Sequence, residues 1–355
     1  MDRRQREGLS LAWGEWNPQN LSMSLAVLPG VPQQAESRLS HRYTLLSPAR
    51  IRELSTLDPR RAIWDIAQCW VWILAAFSMV AVHPAWWTVA LAIPVIGNRY
   101  YGLFIIGHDG MHRRLYPNVR RNDFLNDLLI LAPIGAITRI NNRNHLLHHR
   151  RLSFPDDPDR HKHACFNKTD HPELIGYLSG VLSVCVSAKA VFVTRGKANS
   201  GSEPGTSTGP SYSLRDFALL GGWFLALAGG LTWSIGWWAY PIMWLLPVYT
   251  FMFLGDNFRS FAEHSHTESD YEADSHRLIT YISTPIERMF VAPMNMNFHA
   301  AHHLWPSIPY YNLPAADQEI RSLPEAAGLE WRDSYFQYLH KYWSALPILG
   351  CNRGL

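Results

Sequence analysis

Three short stretches of the sequence contain closely spaced histidines, and they read HDGMH, HLLHH and HAAHH. Residues three or four positions apart lie on one face of a helix, so each stretch would present its imidazoles together. Neutral imidazole is a common ligand of iron, zinc and copper. Eight imidazoles are more than one tetrahedral zinc ion uses, so their number indicates two metal ions. The eight are His108, His112, His145, His148, His149, His299, His302 and His303.

The remaining histidines are weaker candidates for metal binding. His161 and His163 could add a ligand, but they lie in the charged loop DRHKHA. Isolated histidines are usually ordinary surface or core residues, and we expect this of five others. They are His41, His83, His171, His276 and His340.

The long apolar runs of the chain have the length of membrane-spanning helices, which need about 20 residues. Residues 62–82 and 85–107 form one closely spaced pair of runs, and residues 216–233 and 237–255 form another. Each pair predicts a transmembrane hairpin. The run at 124–137 is too short to cross as a straight helix, which indicates a re-entrant or interfacial segment. The sequence therefore predicts an all-α integral membrane protein with about four transmembrane helices and a cytoplasmic helical cap that contains the histidines.

Charge and topology place the three histidine stretches on one side of the membrane. Arginines are frequent after the first hairpin, whereas the tight turns of both hairpins contain no Lys or Arg. By the positive-inside rule, these arginines lie in the cytoplasm, and the site faces the same side. The second hairpin returns the chain to that side, provided that residues 173–193, which include Lys189, do not cross. The arginines are Arg113, Arg114, Arg120, Arg121, Arg143, Arg150 and Arg151.

The chain divides into three predicted regions. Residues 1–60 are polar and rich in proline, and they predict a leader or interfacial segment. Ser47 and Pro48 are suited to the N-cap and first turn of a short helix within it. Residues 61–325 contain the apolar runs and the histidines and predict the catalytic membrane domain. Residues 326–355 predict a cytoplasmic surface helix followed by a tail.

Composition argues against several classes of protein. The net charge is only +3, and no lysine-rich tract is present, so nucleic acid is not an expected partner. The four cysteines are far apart and form no CxxC pair, which argues against a disulfide framework and against a thiolate zinc site. A reducing compartment is therefore expected.

The three histidine stretches resemble those of the membrane fatty acid desaturase superfamily, whose histidine boxes read HxxxH, HxxHH and HxxHH. Residues 108–112, 145–149 and 299–303 match these boxes in order and spacing, and the resemblance extends over about residues 60–325. It implies a non-haem di-iron centre with mostly histidine ligands, and a fold in which a helical stalk of four spans lies under a cytoplasmic cap. The superfamily also tends to have another histidine between the last span and the third box. His264 matches that position better than His266.

Polar residues near the boxes are candidates for orienting the ligands, because ligating imidazoles usually hydrogen-bond to a carboxylate or another polar group. Asp109 lies within the first box, and Glu263 precedes His264. Asn144 and Asn297 adjoin the second and third boxes. The acidic loop FPDDPD adds three carboxylates, of which Asp157 is the main candidate beside Asp156 and Asp159.

The resemblance leaves the reaction open, because the same boxes support desaturation, hydroxylation and ketolation. The expected activity is O2-dependent desaturation of a fatty acyl, lipid-linked chain, with a hydroxylase or ketolase acting on a carotenoid-like or small molecule as the alternative. A membrane zinc hydrolase or a non-catalytic metal-binding or lipid-binding receptor is less favoured. No HPGG motif of a fused cytochrome b5 occurs. Electrons are therefore expected from a separate ferredoxin, rubredoxin or cytochrome b5 with its reductase.

Overall fold

The computed structural model describes residues 44–152, 154, 157–163, 165, 168–180, 212–265 and 278–347. Most of the predicted leader, the candidates Asp156 and His266, and the second half of residues 173–193 lie outside these ranges. Their predicted roles therefore stay predictions.

The chain first forms a short helix and then a long antiparallel hairpin. Helix α1 (Pro48–Leu54) begins where the sequence predicts, because the Ser47 hydroxyl accepts a hydrogen bond from the Arg50 amide. Helices α2 (Pro59–Val82) and α3 (Trp86–Met111) follow. Both are long and apolar enough to cross a membrane, as predicted for this hairpin.

The predicted re-entrant run is an irregular helical segment. Helix α4 (Val119–Asn126) continues into a π-helical turn (Asp127–Leu131) and a 3₁₀ turn (Ala132–Ile134). Gly135 ends the segment with a φ of 80°, a conformation that glycine adopts without strain. Three carbonyl groups of the π-helical turn accept hydrogen bonds from aromatic side chains of the surrounding helices. The donors are Trp223 to Leu128 at 2.7 Å, Trp70 to Leu129 at 2.8 Å, and Tyr100 to Ile130.

The next helices lead from the second histidine box to the second apolar region. They are α5 (Thr138–Arg151), α6 (Arg160–His163), α7 (His171–Leu178) and α8 (Leu214–Ser234). Helix α8 is the third helix in the described residues that is long and apolar enough to cross a membrane. It contains a π-helical turn (Leu225–Gly229). Its bounds agree with the predicted span at 216–233.

The fourth predicted span, at residues 237–255, is helical but less regular. Helical residues run from 239 to 264 through two π-helical stretches and end in helix α9 (Leu254–His264). This segment is not among the three that meet both the length and the hydropathy expected of a span. The mostly helical fold is confirmed, whereas the four-span topology stays a prediction.

The region after α9 contains one structure that the sequence did not predict. Strand β1 (Ile279–Tyr281) pairs in parallel with strand β2 (Glu330–Arg332), with Ile279 opposite Glu330. Strands of three residues are too short to show an alternating pattern, which is why they escape sequence analysis. Between them lie α10 (Pro285–Phe290), α11 (His299–Leu304), α12 (Leu313–Ile320) and a 3₁₀ turn (Pro324–Gly328).

Helix α13 (Tyr335–Ala345) is the predicted C-terminal helix, and one of its faces is buried. Tyr335, Tyr338 and Tyr342 on that face belong to an apolar core that also includes Phe261 of α9 and Tyr281 of β1. The rings of Tyr281 and Tyr335 stack with their centroids 3.9 Å apart. The C-terminal helix therefore packs directly against the helix that ends in His264.

Candidate metal centre

The three histidine boxes lie on three different helices and meet in one buried region. The first box forms the C-terminal end of α3, the second lies on α5, and the third forms α11. Five of their histidines form the first histidine group, in which the ligand atoms all lie within 4.8 Å of one another. This group consists of His108, His112, His145, His149 and His302.

The remaining histidines form a second group beside the first. Ligand atoms of His148, His264 and His303 lie within 4.8 Å of one another, and His299 Nε2 lies 2.9 Å from His264 Nε2. The two groups adjoin, since the rings of His149 and His303 stack with centroids 4.2 Å apart. The structure thus brings together all nine histidines that the sequence nominated, including His264.

Helix geometry explains why each HxxHH box contributes to both groups. Successive residues of an α-helix are rotated by about 100°, so two adjacent histidines point in different directions. His145 and His149, one turn apart, belong to the first group, whereas the intervening His148 belongs to the second. In α11 the pattern is reversed, because His302 joins the first group and His303 the second. Each HH pair therefore divides its imidazoles between two neighbouring sites.

The arrangement of the ring nitrogens fits a metal site. In the first group, His112 Nε2 lies 2.7 Å from His145 Nε2 and 3.1 Å from His149 Nε2. His302 Nε2 lies 3.2 Å from the same nitrogen of His149. In the second group, His303 Nε2 is buried and has no hydrogen-bond partner within the described part of the chain. Buried polar atoms are nearly always paired, so this nitrogen is suited to bind a cation.

Burial also keeps the imidazoles neutral, which is the form that binds metals. It lowers the pKa of His112 to about 3, with help from the nearby Arg114 guanidinium. The pKa values of five other histidines of the site outside the apolar helices also lie well below the ordinary value, mainly because of burial. These are His145, His149, His299, His302 and His303.

Asp157 orients one member of the second group. Its carboxylate lies 2.9 Å from His148 Nδ1, which leaves Nε2 of that ring available to a metal. The other carboxylate oxygen lies 3.1 Å from His163 Nε2. Burial by itself would raise the pKa of Asp157, but these two hydrogen bonds keep it well below its ordinary value. The carboxylate is therefore ionised and fixes the orientation of both rings.

Glu263 and Arg259 form a buried ion pair behind His299. Arg259 Nη1 lies 2.5 Å from the Glu263 carboxylate, and the Tyr335 hydroxyl donates a hydrogen bond of 2.6 Å to its other oxygen. The same carboxylate lies 3.3 Å from His299 Nδ1. Arg259 Nη1 also lies 3.3 Å from His299 Nδ1, so the ion pair holds this edge of the ring while His299 Nε2 lies beside His264.

Comparison with known proteins agrees with this geometry. The profile of the family described as Fatty acid desaturase matches residues 84–335, which is well over half of the chain. The chain belongs to the fatty acid desaturase family. The match begins before α3 and ends in α13. It therefore includes all three histidine boxes, Asp157 and Tyr335.

Two individual relatives have names that indicate different chemistry. A dihydrorhizobitoxine desaturase of Bradyrhizobium elkanii is 27% identical over 266 residues, which cover 70% of this chain and 72% of the relative. A beta-carotene ketolase of a Paracoccus species is 33% identical over 96 residues, which cover 24% of this chain and 40% of the ketolase. The chain is thus similar to a desaturase over most of its length and to a ketolase over a shorter region.

Three predicted orienting residues of this desaturase-family chain have different surroundings. Asp109 is buried and accepts a hydrogen bond of 2.6 Å from the Tyr310 amide, which ties the first box to the loop after the third. Asn297 is buried and donates a hydrogen bond of 2.8 Å to the Tyr281 carbonyl. Asn144 is exposed on α5. Asp109 and Asn297 therefore fix the backbone near the boxes, each through a contact with a distant segment.

Sequence analysis missed Asp256, Arg259 and Tyr335, which complete the surroundings of Glu263. Asp256, Arg259 and Glu263 are three and four positions apart, a spacing that places all three on one face of α9. Arg259 contacts both acidic residues, and its side chain is buried. Three charged residues at this spacing, directly after an apolar run, were a signal of a buried network. Tyr335 gave no comparable signal, because its contact depends on the tertiary fold.

Proposed function

We propose that this chain is an O2-dependent membrane desaturase that introduces a double bond into a fatty acyl chain. The observation that supports the proposal most strongly is the convergence of nine histidines, each buried or half-buried, into two adjoining groups in a chain of this family. Two iron ions bound there would supply, with O2 and two electrons, the oxidising power needed to remove hydrogen from an unactivated C–H bond. The overall reaction would convert –CH2–CH2–, O2, two electrons and two protons to –CH=CH– and two molecules of water.

The donor set supports iron over zinc and over a thiolate site. The two groups consist of imidazole nitrogens, and the metal-compatible clusters in the described residues contain no cysteine. Nitrogen donors suit iron in oxygen chemistry, and they avoid thiolates that the reaction would oxidise. A single tetrahedral zinc ion would use only four ligands. The second group alone contains that number, which would leave the five histidines of the first group without a role.

The residues of the chain itself would orient the ligands and exclude water. Asp157 favours hydrogen on Nδ1 of His148, which leaves Nε2 of that ring for the second group, and the Glu263–Arg259 pair holds the ring of His299. Burial of the imidazoles limits access of water, which would otherwise divert a strong oxidant. Helix α3 ends at the site and is long and apolar enough to cross a membrane. This location would give an apolar substrate direct access from the bilayer.

A hydroxylase or ketolase is the second candidate function. The similarity to a beta-carotene ketolase favours it, although that similarity covers only 40% of the ketolase. The longer match is to a protein named for the desaturation of dihydrorhizobitoxine, so a substrate that is not a lipid belongs among the compounds tested. The geometry of the ligands is compatible with each of these reactions, because they share the oxidising centre and differ in the fate of the substrate.

The test is to express the full chain together with a ferredoxin and its reductase and to profile the lipid and polar extracts by mass spectrometry. Loss of two hydrogen atoms from an acyl lipid supports the proposal. Gain of one oxygen atom indicates hydroxylation, and gain of one oxygen with loss of two hydrogens indicates ketolation. Metal analysis of the purified protein completes the test. Zinc instead of iron, with product formed in the absence of O2, would overturn the assignment in favour of a hydrolase.

A further inference from the structure

Helix α10 lies at the depth of the apolar helices, although it belongs to the part of the chain that leads to the third histidine box. The Asn98 side-chain amide donates a hydrogen bond to the Met289 carbonyl of α10. Asn98 lies in the middle of α3, a helix long and apolar enough to cross a membrane. The ring of Phe290, at the end of α10, lies 5.9 Å from the ring of Phe251, in the helical stretch that precedes α9. Two apolar helical segments therefore contact α10 far from their ends.

The position of Asn98 along α3 gives the depth of this contact in the membrane. Trp86, at the start of α3, is 83% exposed, which is typical of a tryptophan in the aromatic belt at a membrane interface. Asn98 lies twelve residues further along the helix, or about 18 Å at a rise of about 1.5 Å per residue. The apolar core of a bilayer is about 30 Å thick. If α3 crosses the membrane, Asn98 and the adjoining end of α10 lie within that core.

The outward face of α10 has the composition expected at such a depth. Ile282, Ile286 and Met289 are spaced by four and three residues and are 36%, 67% and 48% exposed. Ile286 and Met289, three positions apart in α10, lie on one side of the helix, and Ile282 lies in the segment that leads into it. The polar side chain Glu287 is buried on the opposite side, where it accepts hydrogen bonds from the Ser334 hydroxyl and the Phe336 amide. Arg288, the exposed charged residue of α10, donates hydrogen bonds to the Ile282 carbonyl.

We infer that α10 is inserted into the bilayer leaflet on the histidine side and that its apolar face, formed by Ile286 and Met289, contacts lipid acyl chains together with the preceding Ile282. Lipid is the favoured partner of this face, because the exposed apolar surface continues onto the neighbouring helical segment. The helical segment that contacts Phe290 through Phe251 also exposes apolar side chains, at Leu245 and Leu246. Since α11 begins shortly after α10, this insertion fixes the depth of the third histidine box relative to the membrane. The inference rests on the membrane-spanning role of α3 and does not depend on the reaction.

The experiment is a depth measurement with nitroxide spin labels in the full-length protein. Ile286→Cys and Met289→Cys are labelled separately, in a background in which every native cysteine except the buried Cys69 is replaced by serine. The protein is reconstituted in phosphatidylcholine nanodiscs, and the relaxation of each label is measured with O2, which concentrates in lipid, and with a neutral nickel complex, which stays in water. Lys341→Cys on α13 is the matched control, because Lys341 is exposed and charged.

We expect O2 to relax the labels at 286 and 289 several-fold more strongly, relative to the nickel complex, than the label at 341. Access of the nickel complex to both α10 labels, at the level of the control, would overturn the inference and place the face in water. Protection of both labels from both reagents would also overturn it, because another protein segment or a second copy of the chain would then cover the face. Circular dichroism and monodisperse elution verify the fold of each variant. Because the two labels are placed in separate variants, a folding defect in one variant leaves the other to test the inference.

Discussion

The imidazole rings of His149 and His303 stack at 19° with their centroids 4.2 Å apart, although they come from different helices and from opposite halves of the chain. His149 belongs to the first histidine group, and His303 to the second. This contact therefore fixes the separation between the two groups. The helices α5 and α11 must pack in one relative rotation for it to form, because a rotation of either helix by one residue would direct the wrong imidazole to each group.

The first prediction concerns His302, which lies 3.2 Å from His149 in the first group. We expect His302→Ala to abolish turnover and to lower the iron content of the purified protein, because it removes one converging nitrogen. Its expression in the membrane should not change. The matched control is His340→Ala, since His340 is exposed on α13. Metal analysis and product formation are measured for both. Full activity in the His302 variant would contradict the di-iron assignment.

The second prediction concerns Tyr335, whose hydroxyl donates a hydrogen bond to Glu263. We expect Tyr335→Phe to lower the free energy of unfolding by about 1–3 kcal/mol, as is typical of a lost hydrogen bond to a charged group. Because Glu263 faces His299, iron affinity should also fall, by about tenfold. Tyr342→Phe is the control, since it loses a buried hydrogen bond to the Lys168 carbonyl instead.

Thermal unfolding and a metal titration separate the two effects of the tyrosine variants. Both should unfold at a lower temperature than the parent protein. Only Tyr335→Phe should bind iron more weakly, because only its partner contacts a predicted ligand. Equal iron affinity in the two variants would show that Tyr335 contributes stability alone.

The third prediction concerns Asp157, which contacts both His148 and His163. Asp157→Asn keeps the shape of the side chain but removes the charge that orients His148. We expect iron affinity to fall by about 10–100-fold, the usual effect of losing a group that orients a metal ligand. Asp159→Asn is the control, because Asp159 pairs with the partly exposed Lys162 in the same loop. A similar loss of affinity in both variants would indicate a general effect of loop charge.

The fourth prediction concerns the pH dependence of the metal-free protein. Burial lowers the pKa of His112 to about 3, and unfolding returns it to about 6.5. Below about 6.5 the unfolded chain binds more protons than the folded one, so stability falls as the pH decreases towards 3. Each such histidine contributes up to about 1.4 kcal/mol per pH unit. Thermal unfolding at pH 5 and pH 7 measures the slope, which should be smaller in His112→Asn. Equal slopes in the two proteins would contradict the buried neutral state.

Features that depend on neighbouring residues were predictable from the sequence. The hairpin of α2 and α3 follows from the length and hydropathy of two runs, and the three boxes follow from local spacing. Contacts between distant segments were not predictable, because one sequence contains no record of them. Asp109 was singled out as a residue that would orient a ligand, but the hydrogen bond that it accepts comes from the amide of Tyr310, which is 201 positions away. The division of the histidines into two groups likewise depends on how α5 and α11 pack.

The last prediction concerns the indole group of Trp70, which donates a hydrogen bond to the Leu129 carbonyl in the irregular segment after α4. A polar backbone group surrounded by apolar side chains needs such a partner, and none is available from lipid. We therefore expect Trp70→Phe to reduce stability by about 1–3 kcal/mol. Trp72→Phe, on the same helix but 55% exposed, should change it by less than about 0.5 kcal/mol.

Because the segment leads directly into α5, Trp70→Phe should also reduce iron occupancy after heating, whereas Trp72→Phe should not. Thermal unfolding in nanodiscs, followed by metal analysis of the soluble fraction, measures both effects. Identical behaviour of the two variants would show that the Trp70 hydrogen bond does not stabilise the metal site.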